Sequence, residues 1–216
     1  MTKYAPMKAT TKELMADKAY EELKWQILNG EIGPGQLFTE HSICELINIG
    51  RSPVRSALLR LQHDRLVDII PRKGMLVRGI SSQEIKEIIQ VRLTIEPLVA
   101  KLAARNATAE DTDKMEHLLD QVENADLKDH NLAMRIDHEF HIALAHATKN
   151  KVLEEVLSFV KMRSSMLWFR NIVTEEKMKE VQKEHREIVS AIKNKDEKKA
   201  VEALTNHVEK LEITIF

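Results

Sequence analysis

Residues 51–61 read Arg51-Ser52-Pro53-Val54-Arg55-Ser56-Ala57-Leu58-Leu59-Arg60-Leu61. Val54, Ala57, Leu58 and Leu61 recur at helical spacing and form one apolar edge, while Arg51, Arg55 and Arg60 keep the remainder basic. Ser52 is expected to cap this helix, with Pro53 in the first turn, where a missing N–H costs nothing. The helix is predicted to run to about Asp64. It is amphipathic, and its N-terminal end is positive and hydrogen-bonding.

The flanking sequence gives this helix a context. Upstream, Lys12 to Asn29 reads as a helix that stops at Gly30, and Gly33-Pro34-Gly35 makes a tight turn. Thr39 can cap a short second helix, Glu40 to Ile47, and Asn48-Ile49-Gly50 connects it to Arg51. Downstream, Val67 to Ile70 and Met75 to Val77 are β-prone runs around Pro71-Arg72-Lys73-Gly74, which predicts a hairpin. Helix, short helix, connector, helix and hairpin is the order of a winged helix-turn-helix. Its second helix enters the major groove with polar and basic residues leading. Arg51, Ser52 and Arg55 occupy that leading end, and arginine suits both phosphate and guanine. Arg72, Lys73 and Gly74 form the wing tip, where two charges and a glycine favour close approach to a DNA backbone. The alternative for the arginines is a solvated basic face, and Arg60 and Arg65 read as structural or phosphate-adjacent.

The net charge of −1 conceals an asymmetry. Residues 1–79 hold 12 Lys/Arg against 9 Asp/Glu, and residues 80–216 hold 21 against 25. A basic segment on an acidic remainder suits a DNA reader joined to a separate sensing module. No glycine follows Gly79, and Ser81-Ser82-Gln83-Glu84 has the form of a capping box, so the boundary is placed there. The expected domains are 1–79 and 80–216. The second is read as an all-helical antiparallel bundle of about six helices, reaching from Ser81 to about Asn106 and then over 109–125, 131–148, 151–171, 175–194 and 197–214. The fold class is mostly α. A single cysteine, Cys44, a polar start without a signal-peptide core and no apolar run of ~20 residues together predict a cytoplasmic protein that does not enter a membrane.

Seven of the nine histidines lie in the second domain. Asp137 and His141 are four apart and share a helix face. His185 falls on the stripe of Val181, Ile188 and Ile192, and His207 borders that of Val201, Leu204, Val208, Leu211 and Ile215. A carboxylate and three imidazoles from three helices can surround a divalent ion, zinc first, with Ni, Mn or Fe also suited. A histidine on an apolar stripe also reads as a hydrogen-bonded core residue. Arg92 lies within the stripe Ile85, Ile88, Ile95, Val99 and Leu102, and a buried guanidinium must be paired. A metal-bound organic acid is one partner and Glu96 is another. Arg163 is a second candidate effector contact, and Trp168 and Phe169 read as core.

These motifs resemble a known family. Gly30-x-x-x-Pro34-Gly35, the run from Arg51 to Leu61 and the basic wing ending at Gly74 resemble the DNA-binding part of the GntR family. Gly50 stands where that family often has Ser or Thr, and His41 where several members carry a DNA-contacting Arg, so His41 joins the candidate DNA contacts. Val91-Arg92-x-x-Ile95-Glu96-Pro97, Asp137-x-x-Phe140-His141, Glu184-His185 and Asn206-His207 resemble the FCD effector domain of the FadR-like branch, in its shorter VanR-type form. The resemblance implies that Asp137, His141, His185 and His207 are metal ligands and that Arg92 lies near the effector. It also implies a homodimer and a small carboxylate effector. The expected function is therefore a non-enzymatic regulator of transcription on double-stranded DNA, with an organic acid controlling operator binding. The alternatives are a structural metal or none, and a metal-dependent hydrolase, for which no motif supplies a nucleophile–base pair.

Overall fold

The computed structural model describes residues 11–124, 130–166 and 174–215, and for residues 11–13, 124, 130 and 211–215 the backbone alone. The chain divides into two compact units, residues 1–79 and 80–216. No helix among the described residues is long and apolar enough to cross a membrane.

The first unit contains α1 (Thr11–Leu28), β1 (Leu37–Phe38), α2 (Glu40–Ile47), α3 (Arg51–His63), β2 (Val67–Ile70) and β3 (Gly74–Val77). Its core joins Ala19, Leu23 and Ile27 of α1 to Ile43 of α2, Val54, Ala57 and Leu61 of α3, and Val67, Met75 and Val77 of the sheet. Each large apolar side chain so buried contributes about 1.5–3 kcal/mol. Thr39 caps α2 as expected: its hydroxyl accepts from the Ser42 N–H, and the Ser42 hydroxyl accepts from the Thr39 N–H. The start of α3 differs from the sequence expectation. Asn48 takes the left-handed conformation (φ 51°) and ends α2, so the chain turns early and α3 begins at Arg51 with Gly50 as N-cap. Ser52 is therefore in the first turn rather than at the cap. Arg60 is held in place as a structural residue, stacked on the Tyr20 ring at 4.0 Å and paired with Asp17 at 2.5 Å.

The wing is a three-stranded antiparallel sheet in the order β1-β3-β2, with Phe38 opposite Met75 and Ile70 opposite Gly74. The sequence reading contained only the hairpin, because a two-residue strand carries no periodicity. Strand β1 explains Gly74. Its φ of +124° suits glycine, and a Cβ there would collide with the Phe38 carbonyl oxygen.

The second unit consists of α4 (Ser82–Asn106), α5 (Ala109–Asn124), α6 (His130–Ala147), α7 (Lys151–Ser165), α8 (Glu175–Lys193) and α9 (Glu197–Ile215). The helices expected to reach 125 and 171 are described to Asn124 and Ser165; Trp168 and Phe169 lie outside the described residues, as do the side chains of Leu211 and Ile215. Helix α4 packs against α6, α7, α8 and α9. Its buried line is Ile85, Ile89, Arg92, Glu96, Val99 and Ala103, displaced by one residue from the expected Ile88, Ile95 and Leu102, which brings Glu96 inside. Ser81 caps α4 by accepting from the Glu84 N–H, but the Glu84 carboxylate pairs with Arg163 across the bundle.

Three short turns meet at the C-terminal end of α4. Lys149 and Lys195 both adopt the left-handed conformation (φ 56°) after α6 and α8. Lys149 pairs with Asp111 at 2.7 Å, Lys195 donates to the Ala107 carbonyl, and the Asn106 amide donates to the Thr148 carbonyl at 2.8 Å.

Replacing Gly74 with alanine is expected to destabilise the first unit by at least about 2 kcal/mol, because backbone must move away from Phe38. Hydrogen exchange should speed up across β1 and β3 before it does in α4–α9. Unchanged protection in both strands would contradict the packing described.

Candidate functional sites

On the first unit, Arg51, Ser52 and Arg55 are exposed on the first turn of α3, and Arg72 and Lys73 are exposed at the β2–β3 turn. A cleft of about 450 Å³ separates α3 from the wing and is lined by Arg55, Leu58, Arg72, Lys73 and Gly74 among others. Arg51, Arg55, Arg72 and Lys73 have no ion-pair partner among the described residues, so their charge faces solvent uncompensated. His41 is exposed on α2, 3.5 Å from Glu45.

In the second unit, Asp137 and His141 of α6, His185 of α8 and His207 of α9 converge, each offering a ligand atom within 4.8 Å of the others. All four are buried. Asp137 Oδ1 lies 3.6 Å from His185 Nε2 and 3.8 Å from His141 Nε2, too far for hydrogen bonds. Five imidazole nitrogens, both of His141, both of His185 and Nε2 of His207, have no hydrogen-bond partner. Buried polar atoms are seldom left so, and a cluster of them around one point fits a bound ion. The donor set fits as well, since nitrogen and carboxylate oxygen are ligands of zinc and its neighbours. Glu184 Oε2 accepts a hydrogen bond from His207 Nδ1 at 2.8 Å, which aligns that ring as an outer carboxylate aligns a metal-bound histidine. Phe140 stacks on His185 with ring centres 4.2 Å apart.

Two cations border the cluster. Arg92 of α4 is 1% exposed; its Nε donates to Glu96 Oε1 at 2.5 Å, its Nη1 lies 3.5 Å from the Ser164 hydroxyl, and its Nη2 has no hydrogen-bond partner. Glu96 Oε2 lies 3.7 Å from His141 Nδ1. Lys161 of α7 is 2% exposed, with Nζ 2.7 Å from Asp137 Oδ2. The structure thus brings Arg92 and the four candidate ligands together. Arg163 is buried and engaged by Glu84 on the first turn of α4.

Comparison with known proteins agrees with both units. Residues 15–77 match the gntR family of bacterial regulatory proteins, and residues 87–210 match the FCD domain. The chain belongs to the GntR family and carries an FCD domain. Its relatives include the transcriptional regulator YdhC of Bacillus subtilis, 25% identical over 190 residues, with 87% of this chain and 85% of that protein covered. LutR of the same organism is 27% identical, covering 86% of this chain and 94% of LutR. Among solved structures, Escherichia coli McbR shares the fold at a TM-score of 0.82 and 21% identity, covering 93% and 96% of the two chains. This GntR-family chain is a DNA-binding transcription regulator with a winged helix-turn-helix and a helical FCD domain.

The electrostatics of the FCD domain follow from burial. Burial holds the pKa values of His141 and His185 well below 6.5, and neighbouring Lys161 and His207 lower them further. Both rings are neutral, the form that binds metal. Burial opposes ionisation of Asp137, but the Lys161 ammonium, through its charge and its hydrogen bond, offsets it and holds the pKa at about 2. Glu184 is likewise at about 2, with burial outweighed by His207 and Lys210. Sequence reasoning missed Lys161 and the role of Glu184. Lys161 had a signal: it continues the line of Leu153 and Leu157 at four-residue spacing.

The histidines set a pH dependence. The unfolded chain takes up protons on His141 and His185 as pH falls below 6.5, whereas the folded FCD domain does not. Stability is therefore fully present above 6.5 and is lost toward lower pH, by at most about 1.4 kcal/mol per histidine per pH unit. Urea titrations of metal-free protein between pH 7.5 and 5.5 should show this slope, and His185→Asn should flatten it. A stability independent of pH over that range would rule out neutral buried rings.

Proposed function

We propose that operator binding by this regulator is controlled by a small organic acid, bound in the FCD domain beside a divalent metal held by Asp137, His141, His185 and His207. The carrying observation is the group of partnerless imidazole nitrogens, joined through Glu96 to a buried arginine whose Nη2 has no hydrogen-bond partner. Zinc is the first expectation, with Ni, Mn or Fe also suited to the donors. A divalent ion there would supply positive charge and open coordination positions for a carboxylate oxygen. Arg92 would take the acid's remaining oxygens through its planar fork. Arg163 would be a second contact, reached by exchanging Glu84 for the effector. Both arginines act on α4, the helix that follows the wing strand β3 in the chain.

On the DNA side, Arg51, Ser52 and Arg55 would enter the major groove, with His41 beside them and Arg72, Lys73 and Gly74 of the wing on the backbone. A homodimer would place two such heads on a palindromic operator. Exposed Val91 and Leu98 on α4, and Val152, Val156 and Phe159 on α7, support pairing of two FCD domains. The setting would be the cytoplasm, where the genome is and where a lone cysteine stays reduced.

A second reading keeps the same regulator with a structural metal or none. The Arg92–Glu96 and Lys161–Asp137 pairs favour it, because they neutralise the interior without any ligand.

Metal analysis of the purified chain separates the two readings in part. One ion per chain is expected, lost in His185→Ala. On a fragment of its own promoter, Arg55→Ala should weaken binding by about 1–3 kcal/mol, a change of about 5- to 150-fold. Absence of any stoichiometric ion, as purified or on addition, would overturn the sensing half of the proposal. Retention of full affinity in Arg51→Ala/Arg55→Ala would overturn the assignment of α3 to the groove.

A further inference from the structure

Lys161 is an unusual residue for its position. It stands in line with Leu153 and Leu157, where a methionine or leucine would fill the interior without a charge to compensate, and buried lysines are rare. It nonetheless points inward and holds one oxygen of Asp137.

The geometry divides that carboxylate between two tasks. Oδ2 lies 2.7 Å from the Lys161 ammonium, while Oδ1 faces His185 and His141 at 3.6 and 3.8 Å. Lys161 thus leaves Oδ1 for an ion and can stay in place when one binds. Charge then decides what else the site needs. Arg92 and Lys161 are balanced by Glu96 and Asp137, Arg163 is paired with Glu84, Glu184 is paired with Lys210, and imidazoles that ligate a metal are neutral. A divalent ion adds two positive charges that no described residue cancels. Uncompensated buried charge is costly, so the remaining ligand has to bring two negative charges.

We infer that the effector is a dianion, a dicarboxylate, and that Lys161 sets this preference as a positioning residue acting through Asp137. This rests on the reading of the FCD domain as a metal and carboxylate site. One carboxylate of the acid would lie at the Asp137–histidine cluster and the other at Arg92 Nη2, the donor that Glu96 and Ser164 leave open. With Lys161 replaced by a neutral side chain the excess falls to one charge, and a monocarboxylate becomes sufficient.

The test is calorimetry on the full-length, zinc-loaded protein. The probes are linear diacids of three to six carbons, with and without a 2-hydroxyl, and monoacids of equal carbon number. The best diacid should bind at least tenfold more tightly than its matched monoacid. Lys161→Met, compared at one bound zinc per chain, should reduce that ratio tenfold or more, and Lys161→Arg should preserve it. Should Lys161→Met fail to fold, Lys161→Gln, which keeps a hydrogen bond to Asp137 without the charge, reads the same ratio. A monoacid that equals its diacid in the wild type would overturn the dianion while leaving the carboxylate site standing. An unchanged ratio in the neutral variants would overturn the assignment to Lys161. Failure of every acid to bind, or of zinc to load, would sink the underlying reading together with this one.

Discussion

Asp137 is buried in the middle of six helices and is nevertheless ionised, and most of the FCD domain is arranged around keeping it so. A carboxylate removed from water is tolerable only if positive charge or hydrogen bonds replace the lost solvent. Lys161 supplies the charge at 2.7 Å, and that lysine, itself buried, depends in turn on Asp137. The same requirement recurs in Arg92 and Glu96, one turn apart on α4. Replacing either member of a pair would strand its partner's charge inside the bundle. The two pairs and the three imidazoles behave as one assembly, in which a change at any position is felt at the others.

This assembly explains which parts of the site were legible in the sequence. Asp137 and His141 share a helix face by their spacing alone, and His185 and His207 sit on or beside apolar stripes, so periodicity could select all four. Arg92 was visible as a charge interrupting such a stripe. Lys161 was not, because α7 carries other charged residues and a lysine among them reads as surface unless the Leu153–Leu157 line is followed one step further. The pairing of Glu184 with His207 joins two helices, and no spacing within either one encodes it.

The DNA-binding unit was legible for a different reason. Its signals are local: the capping Thr39, the arginines on the first turn of α3 and the turn residues of the wing. The errors were local too. The N-cap of α3 moved from Ser52 to Gly50 because the left-handed Asn48 redirects the chain, which is a backbone property that no side-chain pattern announces. Strand β1 escaped because two residues are too few to show alternation, although Gly74 carried its imprint as a position where Phe38 leaves no room for a Cβ.

The three turns gathered at the far end of α4 have a mechanical consequence. Lys149 and Lys195 accept a left-handed backbone, which costs a non-glycine residue about 1 kcal/mol or more, and their side chains reach Asp111 at the start of α5 and the Ala107 carbonyl. That end of the helix is clamped from two sides. At the opposite end, Glu84 pairs with Arg163 of α7. These contacts join the α4–α5, α6–α7 and α8–α9 connections, so the three hairpins of the bundle share one hub at Asn106.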